Sequence, residues 1–286
     1  MKAPQSGFYT RNHTDSHSYD FYPAEGERAP LLIYVHGGAW RFGDKSALLS
    51  SENGVHRLRE VFAEAGFACA SINYRLSDEA QFPSQIHDVK AAIRHFRKHA
   101  EVLGVDPNRI IVAGGSAGAH LTMLAAATGN LGDEYYDGPG ADVSAEVAAA
   151  ICIYGVSDLR TIFEDRPLCG FPEEHPDDDG AEWRLLGSTY PAPAGSDAEL
   201  NWSKAQPIDL LNRAEASGLH RCAPIAFVHG VADSCVPSVQ SARAYEALRD
   251  RGIPTMIELV DEADHADLRV YADPILEKVL AWVHEL

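Results

Sequence analysis

Ser116 stands in the run Gly114-Gly115-Ser116-Ala117-Gly118, which fits G-x-S-x-G. A serine hydroxyl becomes a usable nucleophile when a tight turn projects it clear of the sheet. The five residues are a weak signal alone, because Gly, Ser and Ala are common. Their context makes them strong. The apolar run Ile110, Ile111, Val112, Ala113 leads directly into them, and a small-residue helical stretch from Ala117 to about Thr128 follows. The order strand, glycines, helix predicts a sharp elbow, with Gly114 and Gly118 two positions either side of the nucleophile where no bulk fits. A phosphate-binding loop shares that order, but neither G-x-x-x-x-G-K-[ST] nor G-x-G-x-x-G occurs here.

A serine needs a base, normally a histidine held by a carboxylate. Elbow serines take both partners from loops after later strands, in the chain order serine, acid, histidine. Asp233 follows the apolar run ending at His229, and His265 follows the run ending at Val260. Both therefore emerge at the carboxyl edge of the sheet, on the side of Ser116. Asp264 is the rival acid, but a sequence neighbour rarely aligns behind its own histidine; solvated loop charge fits it better. His36 and His229 end strands and read as loop-shaping residues. His120 lies one helical turn past the serine, and His87, His95 and His99 read as part of a surface helix.

Acyl transfer generates an oxyanion that needs hydrogen-bond donors. His36-Gly37-Gly38-Ala39-Trp40 follows the first strong strand, where glycine-rich oxyanion loops occur. Glycine lets the backbone turn its N–H groups inward without steric obstruction. The expected donors are the amides of Gly37, Gly38 and Ala117.

Strand-like runs alternate with amphipathic stretches along most of the chain, the pattern of an α/β fold with a mostly parallel sheet and helices on both faces. Expected strands are Leu31–His36, Phe67–Tyr74, Arg109–Ala113, Val147–Tyr154, Ile225–His229 and Thr255–Val260, and Tyr19, Phe21 and Tyr22 point to an edge strand or hairpin. Expected helices are Val55–Ala65, Pro83–Leu103, Ala117–Thr128, Val239–Arg251 and Pro274–His284, with a turn at Asp106, Pro107 and Asn108. Between Ser157 and about Pro207 the pattern fails, apart from weak periodicity near Trp183–Leu186. An irregular stretch this long within one domain reads as a lid or binding loop. The organisation is thus a single domain over 1–286 with a lid insertion at 157–207.

The 286 residues suit one large domain, and 45% hydrophobic with 23% charged residues is ordinary globular composition. A net charge of −18 opposes binding to nucleic acid or anionic membranes. The acidic run Glu173, Glu174, Asp177, Asp178, Asp179 lacks calcium-loop spacing and reads as a solvated loop. Cys69, Cys152, Cys169, Cys222 and Cys235 are odd in number and scattered, so free thiols in a reducing compartment are expected, and no metal site. The polar start, Met1 to His17, and the lack of a spanning apolar run predict a cytoplasmic location. A homo-oligomer is neither required nor excluded.

The segments H-G-G-A-W-R-F-G-D-K (36–45), I-N-Y-R-L (72–76), F-P-S-Q-I-H-D-V-K-A-A-I-R (82–94), D-P-N-R-I-I-V-A-G-G-S-A-G-A-H-L (106–121) and H-G-V-A-D-S-C-V-P (229–237) together resemble the α/β-hydrolase esterases related to hormone-sensitive lipase. The branch most similar is that of small carboxylesterases with feruloyl-esterase-like proteins, and the resemblance runs from about Leu31 to the C-terminus. It implies ester hydrolysis through an acyl-enzyme with no cofactor, and ion-pairing positions at Arg75 and Asp88. Two departures stand out: Ala39 replaces the third glycine of the oxyanion block, and the long N-terminal helical cap of larger members is missing. The 157–207 insertion would then cover the pocket. Its Phe163, Phe171, Trp183 and Trp202, with Trp40, are candidates to line an acyl or aryl site, or to pack the insertion onto the domain. Small or aromatic esters are the expected substrates. An aryl formamidase-like amidase and a non-catalytic binding protein on the same scaffold are the competing readings.

Overall fold

The structure, a computed structural model, describes residues 3–129, 131–138, 142–218 and 220–286. Among these, eight strands form one sheet: β1 (Gln5–Phe8), β2 (Ser18–Tyr22), β3 (Ala29–Val35), β4 (Ala68–Ile72), β5 (Val105–Gly115), β6 (Ala149–Ile153), β7 (Ile225–Gly230) and β8 (Thr255–Val260). Their spatial order is β1-β2-β4-β3-β5-β6-β7-β8. β1 pairs antiparallel with β2, and β2 with β4; every other pairing is parallel.

Continuous apolar runs make strands buried on both faces, since successive side chains alternate sides. Leu31, Ile33 and Val35 of β3 join one core cluster with Ile110 and Val112 of β5. Leu32 and Tyr34 join the other with Ile111 and Ala113. On the first face lie α2 (Ser84–Lys98), α3 (Ala100–Leu103), α4 (Ala117–Thr128) and α5 (Glu134–Asp137). On the second lies α1 (Val55–Glu64), through Leu58 and Phe62. Residues 157–207 carry three short helices rather than irregular chain: α6 (Ile162–Leu168), α7 (Ala181–Leu186) and α8 (Asp197–Lys204). After them come α9 (Pro207–Leu211), α10 (Val239–Arg249) on the first face and α11 (Asp273–Glu285) on the second.

Two expectations need correction. The turn at Asp106–Asn108 is absorbed into β5: Asp106 Oδ1 accepts from the Asn108 amide at 3.0 Å, and the pairing with β3 shifts register between Ala29 and Leu31. Nor is α2 a surface helix. Its charged residues suggested solvent, yet Asp88, Lys90 and Arg94 are all buried. Lys90 Nζ donates to Asp137 Oδ1 and to the Thr128 carbonyl, both at 2.7 Å, and Arg94 Nη2 reaches the same carboxylate oxygen at 3.1 Å. Asp137 thus allows two cations to be packed under the helix. His95 lies partly covered on the same helix, and burial together with His99 pushes its imidazole down to about 4. Arg75 and Asp88 form a two-pronged ion pair, at 2.8 and 2.7 Å.

The chain leaves β3 to build β4 on one side and returns to build β5 on the other, so a crevice opens at the carboxyl ends of β3 and β5. Ligands of open α/β sheets bind at such switch points. His36–Trp40 and Ser116 meet there.

Removing the Asp137 charge strands two buried cations. Asp137→Asn is expected to lose about 3–5 kcal/mol of stability, measured as a lower midpoint in urea unfolding.

Candidate active site

Ser116 directly follows β5 and precedes α4, with φ 54° and ψ −121°. Such a conformation costs an L-residue about 1–3 kcal/mol and persists only where the surroundings enforce it. Here close packing does so. A Cβ on Gly114 would meet the Gly118 carbonyl at 2.5 Å, and one on Gly118 would overlap the Val35 carbonyl oxygen of β3. Gly115 is constrained as well, for a Cβ there would lie 2.8 Å from the Tyr154 hydroxyl. The Ser116 amide donates to the Ile153 carbonyl at 2.9 Å, tying the elbow to β6.

The structure brings Ser116, His265 and Asp233 into one line. His265 Nε2 lies 3.0 Å from Ser116 Oγ, and His265 Nδ1 lies 2.8 Å from Asp233 Oδ2. A carboxylate only accepts, so Nδ1 carries the proton and Nε2 is left to accept from the serine hydroxyl. Asp233 is fully buried. Its Oδ1 accepts the amides of Cys235 at 3.1 Å and Val236 at 2.8 Å. Burial alone would raise this carboxyl; the charges and hydrogen bonds of His265 and His229 outweigh burial and hold it well below the usual range. Asp264 takes another part: its Oδ1 accepts from the amides of Ser234 at 3.0 Å and His265 at 2.7 Å, pinning the acid's loop to the histidine's loop.

Gly37 packs against the elbow, where an added Cβ would lie 2.8 Å from the Gly115 carbonyl oxygen. Gly38 has φ +106° and its carbonyl accepts from the amides of Arg41 and Phe42, both at 2.9 Å. Among the described residues, the amides of Gly37, Gly38 and Ala117 donate to no protein acceptor. The loop is held from below: His36 Nδ1 donates to the Gly37 carbonyl at 2.8 Å, and its ring stacks on Tyr74 at 4.4 Å. Burial pushes the His36 imidazole down to about 4, so it serves as a neutral prop. His120 is likewise pushed down to about 4 by burial and donates to the Ala205 carbonyl.

A cavity of about 630 Å³ opens over Ser116 and His265. Trp40 lines it with little free surface, most of its indole being packed against other side chains, His120 among them. None of Phe163, Phe171, Trp183 or Trp202 lines it. Trp202 is buried and donates to the Ser188 carbonyl, Trp183 and Phe163 face outward, and the walls instead include Phe42, Tyr154 and Ile162. Tyr154 stands edge-on to His265, 4.9 Å between centroids, and its hydroxyl pairs with Tyr271 at 2.7 Å. Its place immediately after β6 was the available signal, because residues ending parallel strands face the crevice.

The acidic run is not merely solvated. Asp177, Asp178 and Asp179 line the cavity, and Asp178 pairs with buried Arg166 through two hydrogen bonds of 2.7 Å. Arg166 also donates to the Glu173 carbonyl at 2.8 Å and twice to the Cys235 carbonyl, at 3.1 and 3.0 Å. All five of its N–H groups are thereby used, and none is left for an anionic ligand. Burial opposes the Asp178 charge, but the guanidinium prevails and lowers that carboxyl; burial and its acidic neighbours raise Glu182. Arg41 pairs with Asp179. Among the described residues, no group of three or more His, Cys, Asp or Glu is disposed to hold a metal ion. No described helix is long and apolar enough to cross a membrane.

The BD-FAE family description matches residues 20–248. The chain belongs to the BD-FAE family. Esterase LipQ of Mycobacterium tuberculosis is 36% identical over 234 residues, 82% of this chain and 49% of that protein. A probable isoprenylcysteine alpha-carbonyl methylesterase of Oryza sativa subsp. japonica is 26% identical over 273 residues, 89% of this chain and 56% of that protein. The chain spans about half the length of these curated relatives. A solved structure described as a truncated form of carbohydrate esterase from gut microbiota is 26% identical, with a TM-score of 0.76 over 98% of this chain and 95% of that one. A Thermogutta terrifontis esterase, 22% identical, shares the fold with a TM-score of 0.70 over 98% and 93%. Together with the mostly parallel sheet expected from the strand–helix alternation, these likenesses make this BD-FAE member an α/β-hydrolase fold, as the resemblance of its motifs implied.

The depressed Asp233 carboxyl fixes the sign of one pH effect. Its contribution to stability is complete above the unfolded aspartate pKa of about 3.9 and is lost as pH falls through the lower folded value. Asp233→Asn is therefore expected to flatten the fall in unfolding free energy on acidification below about pH 4, read from urea titrations at several pH values.

Proposed function

We propose that the chain is a serine carboxylesterase, hydrolysing small or aromatic carboxylic esters through an acyl-enzyme. The observation that carries this reading is the unbroken hydrogen-bonded line from Ser116 Oγ through His265 to Asp233, beside amides without protein acceptors. Ser116 Oγ attacks the ester carbonyl while His265 Nε2 takes its proton. The tetrahedral oxygen receives hydrogen bonds from the amides of Gly37, Gly38 and Ala117, each such donor being worth about 2.7–4 kcal/mol in serine hydrolases. His265 passes its proton to the departing alcohol, and the acyl group stays on Ser116. Water, activated by the same imidazole, then releases the acid. Asp233 keeps the proton on Nδ1 and stabilises the imidazolium between these steps.

The relatives named as esterases support the reaction class, and Phe42, Tyr154 and Trp40 around the cavity support a flat or modest acyl group. The saturated Arg166 and the carboxylates at the rim argue against anionic acyl groups.

Ser116→Ala is expected to abolish fluorophosphonate labelling and to lower kcat on p-nitrophenyl esters by about 10⁶-fold with the fold intact; labelling that persists would move the nucleophile elsewhere. In an ester panel, a succinyl monoester should be turned over at least about tenfold less efficiently than its butyryl counterpart. N-formylkynurenine belongs in the same panel, since formamide turnover far above ester turnover would overturn the ester assignment.

A further inference from the structure

A second histidine lies against Asp233. His229, the fifth residue of β7, is fully buried, like the carboxylate it faces. Its Nε2 lies 2.8 Å from the Val236 carbonyl oxygen and 3.2 Å from Asp233 Oδ2. Its Nδ1 lies 2.7 Å from Ser241 Oγ, on the first turn of α10. A carbonyl oxygen can only accept, so Nε2 bears a proton whatever the charge of the ring. In the neutral ring Nδ1 then accepts from the Ser241 hydroxyl, which fixes both tautomer and tilt.

That N–H acts on the carboxylate through the backbone: it anchors the Val236 peptide, whose own amide donates to Oδ1 at 2.8 Å. The same nitrogen stands 3.2 Å from Oδ2, the oxygen that accepts from His265 Nδ1 at 2.8 Å. Among the described residues, three donors thus bond a fully buried carboxylate, two amides on Oδ1 and the His265 imidazole on Oδ2, with His229 Nε2 standing 3.2 Å from Oδ2. A ring serving only to fill space would need neither polar atom tied down, yet Nε2 is bonded to the Val236 carbonyl and Nδ1 to Ser241.

We infer that His229, held by Ser241, is a positioning residue for ester hydrolysis: its Nε2–H anchors the Val236 peptide, whose amide holds the Asp233 carboxylate in the orientation that His265 requires. This rests on the proposed esterase reaction and adds to it a support outside the serine–histidine–aspartate line.

Two amide substitutions separate this from a packing role. Glutamine places its side-chain N–H where Nε2 stands, whereas asparagine reaches only as far as Nδ1. With p-nitrophenyl acetate, His229→Asn is expected to lower kcat by about 10- to 100-fold with KM within twofold. His229→Gln is expected to recover most of that loss. Fluorophosphonate labelling rates of Ser116 should follow the same order. Asn and Gln variants that are equally impaired, or equally active, would overturn the inference, as would a loss confined to KM. Should His229→Asn fail to fold, Ser241→Ala decides, because it keeps the imidazole and frees its tilt. A several-fold fall in kcat at constant KM supports the role, and an unchanged kcat ends it. Wild-type protein inert to both ester and probe would bring down the esterase reading and this inference together; active wild type with indistinguishable Asn and Gln variants brings down this inference alone.

Discussion

The backbone of Ser116, held at φ 54° and ψ −121°, exists because two strands and a helix leave it nowhere else to go. Gly118 lies so close to the Val35 carbonyl that any side chain would collide with β3, and Gly114 lies as close to Gly118. The elbow is thus a contact between backbones, made possible by the absence of side-chain atoms at Gly114 and Gly118. Everything functional is referenced to it. Gly37 packs on the Gly115 carbonyl, so the amide-bearing loop takes its position from the elbow, and Tyr154 reaches the same glycine from β6. The cost of the strained residue is small beside the apolar burial of a sheet covered on both faces.

Electrostatically the site is divided. On one side, a buried aspartate is bonded by two peptide N–H groups and lies between two imidazoles. On the other, carboxylates of the 173–179 stretch border the cavity, and the cation among them is already committed to Asp178 and to carbonyl oxygens. A chain with 42 acidic and 24 basic residues can hold such a site only by spending its arginines on fixed partners.

Much of this could be read from the residues. Strand–helix alternation gave the sheet and its helices, and G-x-S-x-G after an apolar run located the elbow, because both depend on local order along the chain. The residues that now face one another, Ser116, Asp233 and His265, were nameable for the same reason: each follows a parallel strand, and parallel strands deliver their carboxyl ends to one edge. What could not be read was anything decided by distant partners. The helix carrying His87 and His95 read as a surface helix because Asp137, the partner of its Lys90 and Arg94, lies on a separate element. The acidic loop looked solvated because its cation, Arg166, sits in a different local pattern. The aromatics at 163, 171, 183 and 202 were attractive by type, but none of them lines the cavity, and Phe42 and Tyr154 form its walls instead.

Arg166 has a wider consequence. One guanidinium joins the acidic stretch above the cavity to the Cys235 carbonyl, two residues from Asp233. The stretch that borders the cavity and the loop that carries Asp233 therefore share a rivet. A change in the shape of the cavity rim at Asp178 would be felt in the backbone beside Asp233.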